Sequence, residues 1–171
     1  MPLGKNQRIG LLAFLIIFFD QVTKQIVLRK LEFHRDEYVV LDGFFKFVHW
    51  GNTGAAWSVL SGNNEFLAIV SLVALLLLFL YREYFDTRTV VGQTALGLIF
   101  GGITGNLIDR LFVGHVIDFL RFYLYQRGGE QIGFPAFNIA DAAICTGVGL
   151  LFLVARQSEQ NRRLETAAER S

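Results

Sequence analysis

The sequence predicts a mainly α-helical integral membrane fold: four transmembrane helices, a small β-sheet outside the membrane, and a short amphipathic outer helix. Three observations lead there. The chain is 53% hydrophobic and only 18% charged, against roughly 25% charged residues in soluble domains. Its mean hydropathy is +0.42. Its apolar residues fall in long runs rather than short alternations. At 171 residues the chain fits one domain. Residues about 1–155 read as a single membrane unit and 156–171 as a charged tail.

A spanning helix needs about 20 mostly apolar residues. Four stretches qualify, at about 9–28, 66–81, 93–112 and 137–155. The second is the cleanest, with Ala68 to Leu80 free of charge. The N-terminal stretch reads as a retained span rather than a cleaved signal peptide. Asp20, Gln21 and Lys24 follow its apolar run without a small-x-small cleavage pattern.

Residues of about 31–60 differ in character. Tyr38 to Leu41 and Phe44 to Trp50 flank Asp42-Gly43, and an Asp-Gly pair between β-prone runs signals a hairpin. Its aromatic rings suit a membrane interface. The connection from Gly114 to Ala136 has room for a short amphipathic helix around Phe119 to Tyr125. Lys and Arg number eight on the side of the termini and six on the other. That bias places both termini inside the cell.

A charge at mid-bilayer costs about 2.5–3.5 kcal/mol on insertion scales, so charged residues in spans need a reason. Asp20 and Lys24 are spaced i, i+4 with the acid first, the favourable order for an ion pair. Asn106, Asp109 and Arg110 share one face of the third span, and Asn138 and Asp141 are i, i+3 at the start of the fourth. With Asp118 they all fall in the outer half of the bilayer. Gly97, Gly101 and Gly105 recur every fourth residue, as close helix packing requires.

Two carboxylates in a low-dielectric site hold one proton between them. One can then deprotonate water while the other protonates the carbonyl. Asp118 and Asp141, each at a helix boundary, are the best pair for this peptide hydrolysis. The other acids sit near Lys24 and Arg110, where ion pairing is the simpler role. His34, His49 and His115 lack zinc-ligand spacing, and Ser58 has no evident base. No phosphate-binding loop is present. The lone Cys145 allows no internal disulfide, and the net charge of +1 offers nothing to a nucleic acid. A small ion- or proton-coupled transporter is the competing reading. It should carry polar residues through both halves of the bilayer, whereas the second span and the inner half of the fourth are nearly all apolar.

Five blocks carry a resemblance. They are Asp20-Gln21-Val22-Thr23-Lys24, Asn52-Thr53-Gly54-Ala55-Ala56, Gly101 through Asn106 to Arg110, Val116-Ile117-Asp118-Phe119, and Phe137-Asn138-Ile139-Ala140-Asp141. In this order, and with four spans, the chain resembles bacterial lipoprotein signal peptidase (signal peptidase II). The resemblance implies an aspartyl endopeptidase of the bacterial inner membrane. Its substrate would be a diacylglyceryl-modified prolipoprotein, cut just before the lipidated cysteine. Asp118 and Asp141 would be the catalytic pair. Asp20, Lys24, Asn52, Gly54, Asn106, Asp109, Arg110 and Asn138 would support it or contact substrate. The resemblance implies no cofactor or metal. It implies membrane lipids as partners and a globomycin-type cyclic peptide as inhibitor. Trp57 stands where the family usually has Phe, and Ala142 where it often has Ser.

Overall fold

The computed structural model describes residues 4–54, 62–85 and 87–168. Ser58, Trp57 and the Ala55-Ala56 part of the second block lie outside them. The elements are α1 (Lys5–Lys30), β1 (Glu37–Leu41), β2 (Phe45–Asn52), α2 (Asn64–Tyr81), α3 (Val90–Phe112), β3 (Val116–Tyr125), β4 (Gln131–Gly133) and α4 (Ile139–Ala168). A single 3-10 turn, Arg82–Tyr84, follows α2. All four helices are long and apolar enough to cross a membrane. The charged tail to Ala168 continues α4 without a break.

The central helix is α3. Its most apolar window is 56% buried inside the protein, against 11–22% for the other three. Glycine makes this possible, because both flanking helices approach its backbone. A Cβ at Gly101 would lie 2.8 Å from the Ala13 carbonyl oxygen of α1, and one at Gly97 3.1 Å from that of Ile9. On the other side, a Cβ at Gly102 would lie 2.5 Å from the Ala140 carbonyl oxygen of α4. Gly105 leaves the space that Asp20 occupies, since a Cβ there would meet Asp20 Oδ2 at 2.7 Å. Gly97 and Gly101 thus set the distance from α3 to α1, and Gly102 the distance to α4. Thr89 caps α3, accepting from the Gly92 amide at 3.0 Å.

The four strands form one antiparallel sheet in the order β1-β2-β3-β4. The Asp-Gly hairpin forms as its sequence predicts, with Gly43 at φ 71°, a conformation that costs glycine little. Asp42 accepts hydrogen bonds from the Tyr123 and Tyr125 hydroxyls at 3.1 and 2.8 Å, tying the turn to β3. Lys46 ties the four strands together. It is 2% exposed, donates to Glu37 and Gln131, and lies 4.7 Å from the centre of the Tyr123 ring. Arg121 of β3 stacks over Trp50 of β2 at 4.2 Å.

The structure corrects one element. The predicted amphipathic helix around Phe119 to Tyr125 is instead the middle and end of strand β3. Phe119, Phe122 and Tyr123 share a face at helical spacing, and a short apolar run does not reveal its own period. What decides it is pairing on both sides: β2 runs from Phe45 to Asn52 along β3, and β4 pairs with Tyr123 to Tyr125. The strand's alternation has a consequence for the site. Ile117 and Phe119 pack with Val27 in a small core, and Asp118 points the opposite way.

Gly101→Ala is expected to lose about 1–3 kcal/mol of stability, the usual cost of overpacking. Gly10→Ala, where an added Cβ meets nothing within 4 Å, should lose none. Thermal unfolding of the two variants in detergent checks this.

Candidate active site

The polar residues of the spans converge at the sheet-side end of the helices. Lys24 is their centre. Its ammonium lies 2.8 Å from Asp20 Oδ2 and 2.7 Å from Asp109 Oδ2, and donates to Asn106 Oδ1 at 3.1 Å. Lys24 and Asp20 have no exposed surface, and Asp109 has 1%. Both carboxylates also accept from backbone. Asp20 Oδ1 accepts from the Ala140 amide at 2.9 Å, and Asp109 Oδ2 from the Ile117 amide at 3.1 Å. A single cation thus joins α1, α3, β3 and the first turn of α4.

Three asparagines carry this order outward to Asp118 and Asp141. An amide's oxygen and nitrogen are distinguished by their partners, and here each oxygen faces a group that can only donate. Asn106 Oδ1 faces the Lys24 ammonium, so its Nδ2 donates to Asp141 Oδ1 at 2.7 Å. Asn138 Oδ1 accepts from the Asp141 amide at 2.8 Å, so its Nδ2 donates to Asp118 Oδ1 at 2.9 Å. Asn52 Oδ1 accepts from the Gly54 amide at 2.9 Å, so its Nδ2 donates to Asp118 Oδ2 at 3.1 Å.

Asn138 is also the N-cap of α4. Its side chain takes the amide of Asp141, three residues on, and Asp141 Oδ2 takes the Asn138 amide at 3.2 Å. This is a capping box with Asn and Asp in place of the usual Ser/Thr and Glu/Gln. The same residues that start α4 therefore fix Asp141 and bring Asp118 to its side through one asparagine.

Neither Asp118 nor Asp141 makes an ion pair among the described residues. Asp118 is 3% exposed. Burial, with the charge of Asp141 adding to it, pushes its carboxyl up to about 8, against the hydrogen bonds of Asn52 and Asn138 and the Lys24 charge. A cavity of about 510 Å³ opens beside Asp141. Asn52, Asn106, Arg110 and Asp141 supply its polar wall, and Phe134 to Phe137 and Ile144 its apolar wall. Arg110 donates from Nη2 to the Gly54 carbonyl at 2.9 Å, while its buried Nε and Nη1 have no partner among the described residues.

Every candidate named from the sequence joins this network, Gly54 and Arg110 at its cavity side and Asp20 and Asp109 at its base. Gln21 was missed. Its Nε2 donates to Asp109 Oδ1 at 3.0 Å and to the Gly105 carbonyl at 3.1 Å. A second polar residue beside Asp20 inside a span was the available signal.

Four spanning helices, with buried carboxylates gathered at one end beside a cavity, define a multi-pass membrane protein with an acidic site. The sequence model described as signal peptidase (SPase) II matches residues 12–156. The lipoprotein signal peptidase of Syntrophotalea carbinolica is 38% identical over 157 residues, covering 90% of this chain and 93% of that protein. That of Symbiobacterium thermophilum is 39% identical over 142 residues, covering 83% and 90%. A bacterial membrane enzyme solved by the in meso method at 2.3 Å superposes with a TM-score of 0.77 at 33% identity, covering 88% of each chain. Another, solved at 1.9 Å, gives 0.71 at 34% identity, covering 85% of this chain and 90% of that one. The chain belongs to the signal peptidase II family. It is a membrane peptidase, a hydrolase, and the transporter reading is not favoured.

Lys24→Met leaves Asp20 and Asp109 buried without their cation. Breaking a buried pair this way costs about 3–5 kcal/mol. A large fall in unfolding temperature in detergent is the expected result. An unchanged one would remove Lys24 from its structural role.

Proposed function

We propose that the protein is an aspartyl endopeptidase that removes the signal peptide from diacylglyceryl-modified prolipoproteins, cleaving before the lipidated cysteine. The observation that carries this is the arrangement of Asp118 and Asp141. The two carboxylates, which make no ion pair among the described residues, are bonded to one asparagine, Asn138, and Asp141 lines a cavity of about 510 Å³. The family and the relatives' names support the substrate class.

In the proposed mechanism the pair holds one proton. The ionised carboxylate takes a proton from water as the oxygen attacks the scissile carbonyl carbon. The protonated carboxyl gives its proton to the carbonyl oxygen, producing a neutral gem-diol. As the C–N bond breaks, the carboxyl that now holds the proton gives it to the leaving nitrogen and the other carboxylate takes one from a gem-diol hydroxyl, which frees the amine, leaves the carboxylic acid and restores the singly protonated pair. Nε and Nη1 of Arg110, which have no partner among the described residues, are donors for a substrate carbonyl in the same cavity. Asn52, Asn106 and Asn138 hold the carboxylates through donors that keep their orientation in either protonation state.

By the same reading the sheet and the site face the outer side of the bacterial inner membrane, with both termini cytoplasmic. Membrane lipids surround the helices, and a globomycin-type peptide would occupy the cavity against Asp118 and Asp141.

Asp118→Asn and Asp141→Asn should each lower cleavage of a diacylglyceryl-modified precursor by about 100- to 10,000-fold, the usual worth of a general acid or base. Their unfolding temperatures should not fall. Cleavage by either variant at the wild-type rate defeats the assignment. The pH profile carries a sign. Asp118 binds its proton below about 8 and releases it above, so the rate should fall as pH rises through that value. A rate still climbing well above it contradicts a proton held at Asp118.

A further inference from the structure

The sheet-side end of α1 carries two exposed cations, Arg29 and Lys30, in its last turn. Neither makes an ion pair or hydrogen bond among the described residues. The other sheet-side cations are mostly engaged: Arg35 with Glu32, Lys46 with Glu37, Arg110 with the Gly54 carbonyl, Arg121 over Trp50. Arg29 and Lys30 complement the C-terminal end of the helix dipole, but neither bonds to its last carbonyls.

Each of the two stands at the rim of an apolar groove. Lys30 borders one of about 490 Å³, walled by Val27, Phe47 and Phe119. Arg29 borders another of about 430 Å³, which descends along α1 to Phe14. Ile26 lines both. It lies three residues before Arg29 and four before Lys30, so it sits one turn below the pair and between them. The second groove spans about 22 Å of helix at 1.5 Å per residue. That exceeds the roughly 15 Å depth of one leaflet of a ~30 Å hydrocarbon core.

We propose that this end of α1 binds one anionic diacyl phospholipid, its phosphate between Arg29 and Lys30 and its acyl chains in the grooves on either side of Ile26. Two grooves separated by one ridge match two chains on one headgroup. The unpaired cations select the charge. An apolar groove at membrane depth is filled by lipid tails, so the cations alone decide which lipid fills it. The second groove touches the base of the acidic cluster through Gln21, but neither groove is lined by Asp118 or Asp141. Phe119 lines the first groove, and its neighbour Asp118 points to the other face of β3.

The test is native mass spectrometry of the full chain in neutral detergent, titrated with dioleoyl phosphatidylglycerol. Dioleoyl phosphatidylcholine, lyso-phosphatidylglycerol and inorganic phosphate are the comparison ligands. One phosphatidylglycerol should be retained about tenfold or more tightly than phosphatidylcholine. The single-chain lipid should bind more weakly, and inorganic phosphate should not compete. Arg29→Gln with Lys30→Gln should remove the preference while leaving cleavage of precursor in neutral detergent unchanged. Arg127→Gln, at a cation of the β3–β4 connection that makes no ion pair among the described residues, should leave it intact. Equal retention of the two diacyl lipids overturns the proposal, as does a preference that survives the double substitution or is lost equally with Arg127→Gln. Displacement of the lipid by diacylglyceryl-modified precursor assigns the grooves to substrate and also overturns it. Failure of any of these arms leaves the peptidase reading untouched, since none depends on Asp118 or Asp141.

Discussion

A lysine ammonium in the hydrocarbon layer has no water to solvate it and must be surrounded by acceptors. Lys24 meets that demand with Asp20, Asp109 and Asn106. The three come from α1 and α3, and their carboxylates reach on to backbone amides of α4 and β3. The sheet is therefore anchored to the helices by charge as well as by the Val27, Ile117 and Phe119 core. The glycines of α3 serve the same end. Gly105 makes the room in which Asp20 sits, and Gly101 and Gly102 bring α1 and α4 close enough for one cation to serve both.

The same arrangement governs the charge at the cavity. Asp20, Asp109, Asp118 and Asp141 are four carboxylates facing two cations, Lys24 and Arg110. Lys24 is taken by the first two acids, and Arg110 bonds to a backbone carbonyl. Among the described residues Asp118 and Asp141 are left with amide donors only. Amides orient a carboxylate without neutralising it, so the pair reduces its own charge by keeping a proton. The buried lysine orients Asn106, and the Gly54 and Asp141 amides orient Asn52 and Asn138; the singly protonated pair is the state that the proposed hydrolysis requires.

Much of this was legible in the sequence. The four spans follow from run length, and the Asp42-Gly43 turn from its chemistry. The depth of Asp20, Asn106, Asp109, Asn138 and Asp141 follows from their place within the spans. The i, i+4 spacing of Asp20 and Lys24 announced their pair. Strand β3 was not legible. Its hydrophobic residues satisfy two periods at once, and only the long-range pairing with Phe45 to Asn52 selects one. Gln21 was overlooked because one uncharged polar residue in a span carries a weak signal. The Ala140 and Ile117 amides leave no trace in the sequence, since every residue but proline has an N–H. The orientation of Asn52, Asn106 and Asn138 is likewise a property of their partners and not of the residue type.

The central claim is that the amide-held pair retains a proton at neutral pH. Difference infrared spectroscopy of the membrane-embedded protein tests it most directly, through the carbonyl stretch of a protonated carboxyl group. The account predicts that band at neutral pH in the wild type, its loss as pH rises through about 8, and its disappearance when Asp118 is replaced by Asn. A spectrum without a protonated carboxyl at neutral pH, or a band untouched by that replacement, would contradict it.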